Sequence, residues 1–255
     1  MTSTKALLLL ALLASACVDA DTKQNNGKGG GSAAIPASYI RAEPHSRLVF
    51  ELDTIEGVTP RTASMDYAAE RLGAVLEKPG GLEWTADETI ASRGADHVWT
   101  FDELQTLADE TFNLEVEADT AVIHVIYVDG SYEDENVLGV AWANRHLVMF
   151  SGTLENSCDR PLVGESLCEV AESTVLLHEL GHVVGLVDNG VDMVEPHADE
   201  EHGAHDESDE CVMYWAYEGV GVIDVLASRL TGSSPELDFG PICKADLAAV
   251  ASSAQ

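Results

Sequence analysis

The chain is 255 residues long and carries 45 acidic against 13 basic side chains, a formal charge of −32. Such an excess repels nucleic-acid phosphates and anionic lipid headgroups, so neither is expected as a partner, whereas cationic partners, metal ions included, are favoured. The length suits one sizeable core with appendages, and no internal repeat suggests a solenoid.

Met1 to Cys17 has the organisation of an export signal. Lys5 supplies a positive start, Ala6 to Leu13 is an apolar run too short to span a bilayer, and Ala14-Ser15-Ala16 is an A-x-A cleavage site. Ala14 to Cys17 also resembles the lipobox of bacterial lipoproteins, with its leucine one position early at Leu13. Cys158, Cys168, Cys211 and Cys243 form an even set suited to two disulfides, which leaves Cys17 as the odd cysteine and favours its lipidation over plain secretion. The expected organisation is therefore a signal peptide over 1–16, a lipidated cysteine and flexible tether over 17–36, and a folded domain over 37–255. The mature protein is expected as a monomer at the bacterial outer membrane or cell surface, touching the membrane only through its lipid. Gly29-Gly30-Gly31-Ser32 lies at the centre of the tether.

Within the domain, Leu48 to Leu52 reads as a first strand. Thr62 to Leu76 reads as an amphipathic helix stopped by Pro79-Gly80-Gly81, and Phe101 to Phe112 as a second helix capped near Thr100 or Asp102. Ala121 to Val128 is dense in β-branched and aromatic residues and predicts a buried central strand, with His124 a satisfied core histidine rather than a ligand. Val137 to Trp142 and His146 to Phe150 predict two strands joined at Ala143-Asn144-Arg145, with His146 as strand filler. The strand just before the next helix offers an edge on which an extended peptide can be laid. Cys158 pairs most naturally with Cys168, and Cys211 with Cys243, on proximity alone among three pairings. Lys244 to Ser252 predicts a last short helix. The pattern as a whole gives an α+β (mixed α/β) fold, a twisted mixed sheet with a helix behind it and an irregular C-terminal part from Leu186 onward.

That helix carries the chemistry. It is expected to start near Glu172-Ser173, and it leads through Val175-Leu176-Leu177 into His178-Glu179-Leu180-Gly181-His182. Residues four apart share a helix face, so His178 and His182 can point two imidazoles at one ion, with Glu179 one step round to handle protons. H-E-x-x-H on a helix is the pattern of a zinc site. The competing reading, chance occurrence on a core helix, is weakened by Gly185 and by the later Cys211-Val212-Met213.

His178, Glu179, His182, Gly185 and Asp188 together resemble the metzincin clan of metallopeptidases, whose motif is H-E-x-x-H-x-x-G-x-x-[HD] followed by a methionine turn. An aspartate in the last place resembles the snapalysin-type members. Counted back from the methionine, His205, Asp206, Cys211 and Met213 resemble the archaemetzincin pattern instead. Asp206 then stands where that family has a cysteine, and residues 189–204 are an insertion before the third ligand. His205 is preferred over Asp188 because imidazole is the commoner zinc donor, with His197 and His202 as further alternatives. The unused members of His197, Asp199, His202 and Asp206 offer donors for a second ion, against the plainer reading of a solvated acidic loop.

The resemblance implies one catalytic Zn²⁺, Met213 as a non-ligating floor beneath the histidines, and Glu179 as general base in hydrolysis of a protein or peptide substrate. Trp215 stands where some members carry a tyrosine, so no such role passes to Tyr214 or Tyr217. The expectation from another class is a non-catalytic surface lipoprotein with a structural zinc closed by His178, His182, Asp188 and His205, which binds a protein partner.

Overall fold

The computed structural model describes residues 34–161, 163–229 and 237–253. The signal peptide, Cys17 and residues 18–33 of the tether lie outside the described residues. The elements in chain order begin with α1 (Ala34–Ile40), β1 (Arg47–Ile55), α2 (Thr62–Gly73), β2 (Leu82–Ile90), β3 (Val98–Trp99) and α3 (Phe101–Thr111). There follow β4 (Thr120–Val128), β5 (Ser131–Tyr132), β6 (Gly139–Trp142), β7 (His146–Phe150), α4 (Ser151–Cys158), α5 (Glu165–Val183), α6 (Val222–Arg229) and α7 (Pro241–Ser252). Helix α1 begins at Ala34, and Ile35 packs against the core.

The main sheet has the order β2-β1-β4-β7-β6, with every neighbouring pair parallel except antiparallel β6–β7. The fold is mixed α/β. Strand alternation sends Phe50, Leu52, Ile123, Val125, Leu147 and Met149 toward α5, where they meet Val175, Leu176 and Leu180. The opposite face buries Ile126, Val128, Val148 and Phe150 against Leu104, Leu107 and Ala108 of α3. Thr100 caps α3 through a reciprocal capping box with Glu103, which fixes where that helix starts.

The strand immediately before α4, β7, is interior, so the expected free edge belongs to β6 instead. Ala143 and Asn144 at the tip of the β6–β7 hairpin have φ of 55° and 48°, the left-handed pair that matches strand twist. Asn144 Nδ2 donates to the carbonyls of His182 and Asn189 at 3.2 and 2.8 Å, fastening the hairpin to the end of α5.

Helix α5 starts at Glu165, two turns earlier than expected. Ser173 donates back to the Glu169 carbonyl at 2.7 Å inside the helix instead of capping it. Glu172 is buried and bound to Arg61, whose Nη1 lies 2.7 Å from its Oε2 and whose backbone N–H donates to its Oε1 at 3.0 Å. Cys158 and Cys168 form the disulfide expected of them, tying the end of α4 to α5. Cys211 and Cys243 do not, which corrects the second expected bridge. Their sulfurs lie 3.5 Å apart, the Cys211 sulfur accepts from the Gly240 N–H at 3.1 Å, and Cys243 faces Asp206.

Candidate metal centre

The last turns of α5 place His178 and His182 one helical turn apart, with their Nε2 atoms 3.1 Å from one another. His205 arrives from the loop beyond the helix, its ring 5.2 Å from that of His178 and 5.0 Å from that of His182. Ligating atoms of His178, His182, His205 and Glu218 all lie within 4.8 Å of one another. Glu218 Oε2 stands 3.2 Å from His205 Nε2 and 3.9 Å from His178 Nε2.

The outer nitrogens set the tautomers. His178 Nδ1 donates to the Val212 carbonyl at 2.7 Å, and His205 Nδ1 donates to the carbonyl of His202. Each bond leaves Nε2 with a lone pair turned inward, the usual orientation of a metal-bound imidazole. Burial holds both α5 histidines neutral. It lowers His178 to about 4, helped by His205, and lowers His182 well below the usual range, helped by His178 and His205. Three imidazole nitrogens and a carboxylate oxygen gathered within 4.8 Å of one another are a donor set that fits Zn²⁺.

Glu179 is 2% exposed, and its Oε1 has no hydrogen-bond partner. Burial, then the neighbouring charge of Glu218, pushes its carboxyl well above the ordinary value. It stands outside the donor group although it is next in sequence to His178, because one residue turns the helix by about 100°. Met213 lies beneath the histidine pair. A Cβ on Gly181 would stand 2.2 Å from the Met213 sulfur, so the glycine between the histidines is what lets the methionine press against the helix.

The helix ends as its sequence suggests. Gly185 has a φ of 91°, its N–H donates to the His182 carbonyl, and the Leu186 N–H donates to that of Gly181. Asp188 does not return to the histidines. Val187 and Asp188 also take left-handed backbone, with φ of 55° and 60°, and because Val187 turns into the core, Asp188 is turned out to the surface. The third nitrogen donor in the group is His205, reached through the long loop.

The other loop residues are divided between two places. His197 is buried with its ring nitrogens 2.8 Å from Asp206 and 2.8 Å from Asp246, and its donor atoms, with those of Asp206 and Cys243, form a second compact group. His202 pairs with Asp199 at 2.8 Å and stacks on Trp215 at 4.2 Å. The sequence reading missed Glu218. Nothing in Tyr214-Trp215-Ala216-Tyr217 marks the residue after them, which reaches the histidines only because the chain turns there, with the Leu138 N–H donating to its carbonyl.

No family model matches the chain, and no curated protein matches it. Among solved structures it is similar to the archaemetzincin of Methanopyrus kandleri, at 16% identity over 80% of this chain and 96% of that one, with a TM-score of 0.49. It is similar also to a zinc-dependent peptidase from Methanocorpusculum labreanum, at 18% identity over 78% of this chain and 99% of that one, again with a TM-score of 0.49.

Proposed function

We propose that the chain is a zinc-dependent endopeptidase in which His178, His182 and His205 hold the metal and Glu179 moves the proton. The observation that carries this reading is a buried carboxylate, with one oxygen unpartnered, beside three imidazoles whose ring nitrogens converge. Zinc bound there supplies Lewis acidity toward a peptide carbonyl and lowers the pKa of water toward about 7. Glu179, made more basic by burial, takes the proton of the attacking water and delivers it to the departing amine. Edge strand β6 presents its main chain beside α5, the place for an extended substrate to add as a further strand. Export, lipidation at Cys17 and a cell-surface location complete the proposal, supported by the N-terminal sequence.

Gly139, at the start of β6, controls the position of the base. A Cβ there would stand 2.6 Å from Glu179 Cγ and 2.9 Å from its Oε1, so even alanine must displace the carboxylate. Gly139→Ala is expected to lower kcat on casein at least about tenfold, the cost of a misplaced base, with zinc content unchanged.

A second reading, a binding lipoprotein with structural zinc, draws on Glu218, since three histidines and a carboxylate make a closed set of four donors. Casein cleavage by the purified chain separates the two. Cleavage that a chelator abolishes and Zn²⁺ restores supports the peptidase. A stoichiometric zinc in a chain that cleaves no unfolded protein substrate supports the structural site.

A further inference from the structure

On the face of the sheet turned away from α5, strand register assembles a second polar cluster. Glu51 of β1 is the register partner of His124 in β4, and His124 is the partner of His146 in β7. Asp53 lies two residues along β1, on the same face as Glu51. Glu51, Asp53 and His124 have no solvent exposure at all, although they stand in strands that otherwise bury apolar side chains. One ligating atom of each lies within 4.8 Å of the others.

The partners of this cluster are aimed rather than haphazard. Glu51 Oε1 accepts from the N–H groups of Asn113 and Leu114 at 2.8 and 2.9 Å, and Asp53 Oδ1 accepts from that of Glu88 at 2.9 Å. Each carboxylate is thus fixed by one oxygen, which leaves the other to meet a further partner. Asp53 Oδ2 meets His124 Nε2 at 2.8 Å, while Glu51 Oε2 is buried with no partner. His124 Nδ1 faces His146 Nδ1 at 3.0 Å, and Phe112 stacks over the His124 ring at 5.3 Å, shutting out water.

A buried carboxylate oxygen with no partner is costly unless something fills its place. A divalent cation does so: it balances the two carboxylates, takes His124 as a third donor, and gives Oε2 its missing partner. His146 Nδ1, 3.0 Å from His124 Nδ1, is placed to accept from His124 Nδ1–H. That contact directs the Nε2 lone pair at the carboxylates, as outer partners do for metal-bound histidines. Ligand atoms about 2.1 Å from a common ion stand roughly 3.4 Å apart in a tetrahedron, so the Asp53–His124 pair opens by about half an ångström on loading.

We propose that Glu51, Asp53 and His124 form a buried second metal site, for a divalent transition cation such as Zn²⁺ or Mn²⁺, that ties β1 to β4 on the sheet face opposite the peptidase centre. Two carboxylate oxygens and one imidazole suit such an ion better than Ca²⁺, which takes six or more oxygens.

The test is metal content of the full chain after refolding with Zn²⁺ alone, or Mn²⁺ alone, and exhaustive dialysis. Two equivalents are expected in the wild type. One is expected in Glu51→Gln, which keeps the carbonyl acceptor for Asn113 and Leu114, and one in a His178→Ala/His182→Ala double variant. Combining the three substitutions should leave none. Asp53→Asn, which keeps the Glu88 contact, repeats the test should Glu51→Gln fail to fold. A single equivalent that survives Glu51→Gln and Asp53→Asn but vanishes in the double histidine variant overturns the site. A single equivalent with the opposite behaviour supports it and removes the peptidase reading instead, so the two proposals fail separately.

Discussion

Glu179→Gln is expected to keep its zinc and lose hydrolysis by about 10²- to 10⁴-fold, the usual contribution of a positioned general base. The substitution is close to isosteric, and Glu179 Oε1 has no hydrogen-bond partner to lose. Glu179 also lies outside the group of donor atoms formed by His178, His182, His205 and Glu218, so metal affinity has no reason to fall. Removing a buried acid whose burial disfavours its charge should leave the fold as stable as before, or more so. Casein cleavage and zinc content measured on the same preparation read both halves of this expectation. Wild-type turnover in a zinc-loaded Glu179→Gln chain would rule out this residue as the base.

Arg61→Met carries the largest expected loss of stability. Arg61 and Glu172 have side-chain exposures of 17% and 2%, and Tyr127 donates to the same carboxylate at 3.3 Å. Burial raises the Glu172 carboxyl even with the guanidinium beside it, so the pair costs desolvation and is held by its geometry. Removing the arginine leaves an uncompensated buried acid, which typically costs about 3–5 kcal/mol. For a domain of this size that lowers Tm on the order of 6–20 °C. The two other partners of Arg61, Glu155 and Glu165, are solvated and add little. Removing both charges while keeping an acceptor for the Arg61 N–H and the Tyr127 hydroxyl, in Arg61→Met/Glu172→Gln, is expected to recover most of the loss. Thermal unfolding of the three proteins tests this, and an Arg61→Met chain as stable as wild type would contradict it.

What the sequence made legible was what local patterning encodes. The β-branched run over Ala121 to Val128 needs burial on both faces, and it is the middle strand of the sheet. H-E-x-x-H on an apolar helix carries its own geometry, since the spacing of His178 and His182 is the helical repeat itself. Elements whose pattern is weak were missed. Strand β2 is largely solvent-facing and reads Leu-Glu-Trp-Thr-Ala-Asp-Glu-Thr-Ile, held by pairing with β1 rather than by its own composition. The start of α5 was misplaced because Glu172 and Ser173 resemble a helix start in sequence. Their partners, Arg61 and the Glu169 carbonyl, are visible only in three dimensions.

The third donor was ambiguous for a similar reason. Nothing in the spacing after Gly185 says that Val187 turns inward and carries Asp188 out. Glu218, 40 residues on from His178 in sequence, could not be found by spacing at all. His124 was read as a satisfied core histidine, and each of its ring nitrogens does have a neighbour. The unpartnered oxygen that makes its surroundings unusual belongs to Glu51, on another strand.

In the proposed enzyme three histidines, the last from the distant loop, hold a catalytic zinc. Zinc content and casein cleavage of His205→Ala and Asp188→Ala, prepared in parallel with the wild type, test it most directly. The structure predicts that His205→Ala loses both the metal at the helix and hydrolysis, while Asp188→Ala keeps both. Loss of zinc and activity in Asp188→Ala, with both retained in His205→Ala, would make Asp188 the third ligand and remove His205 from the site.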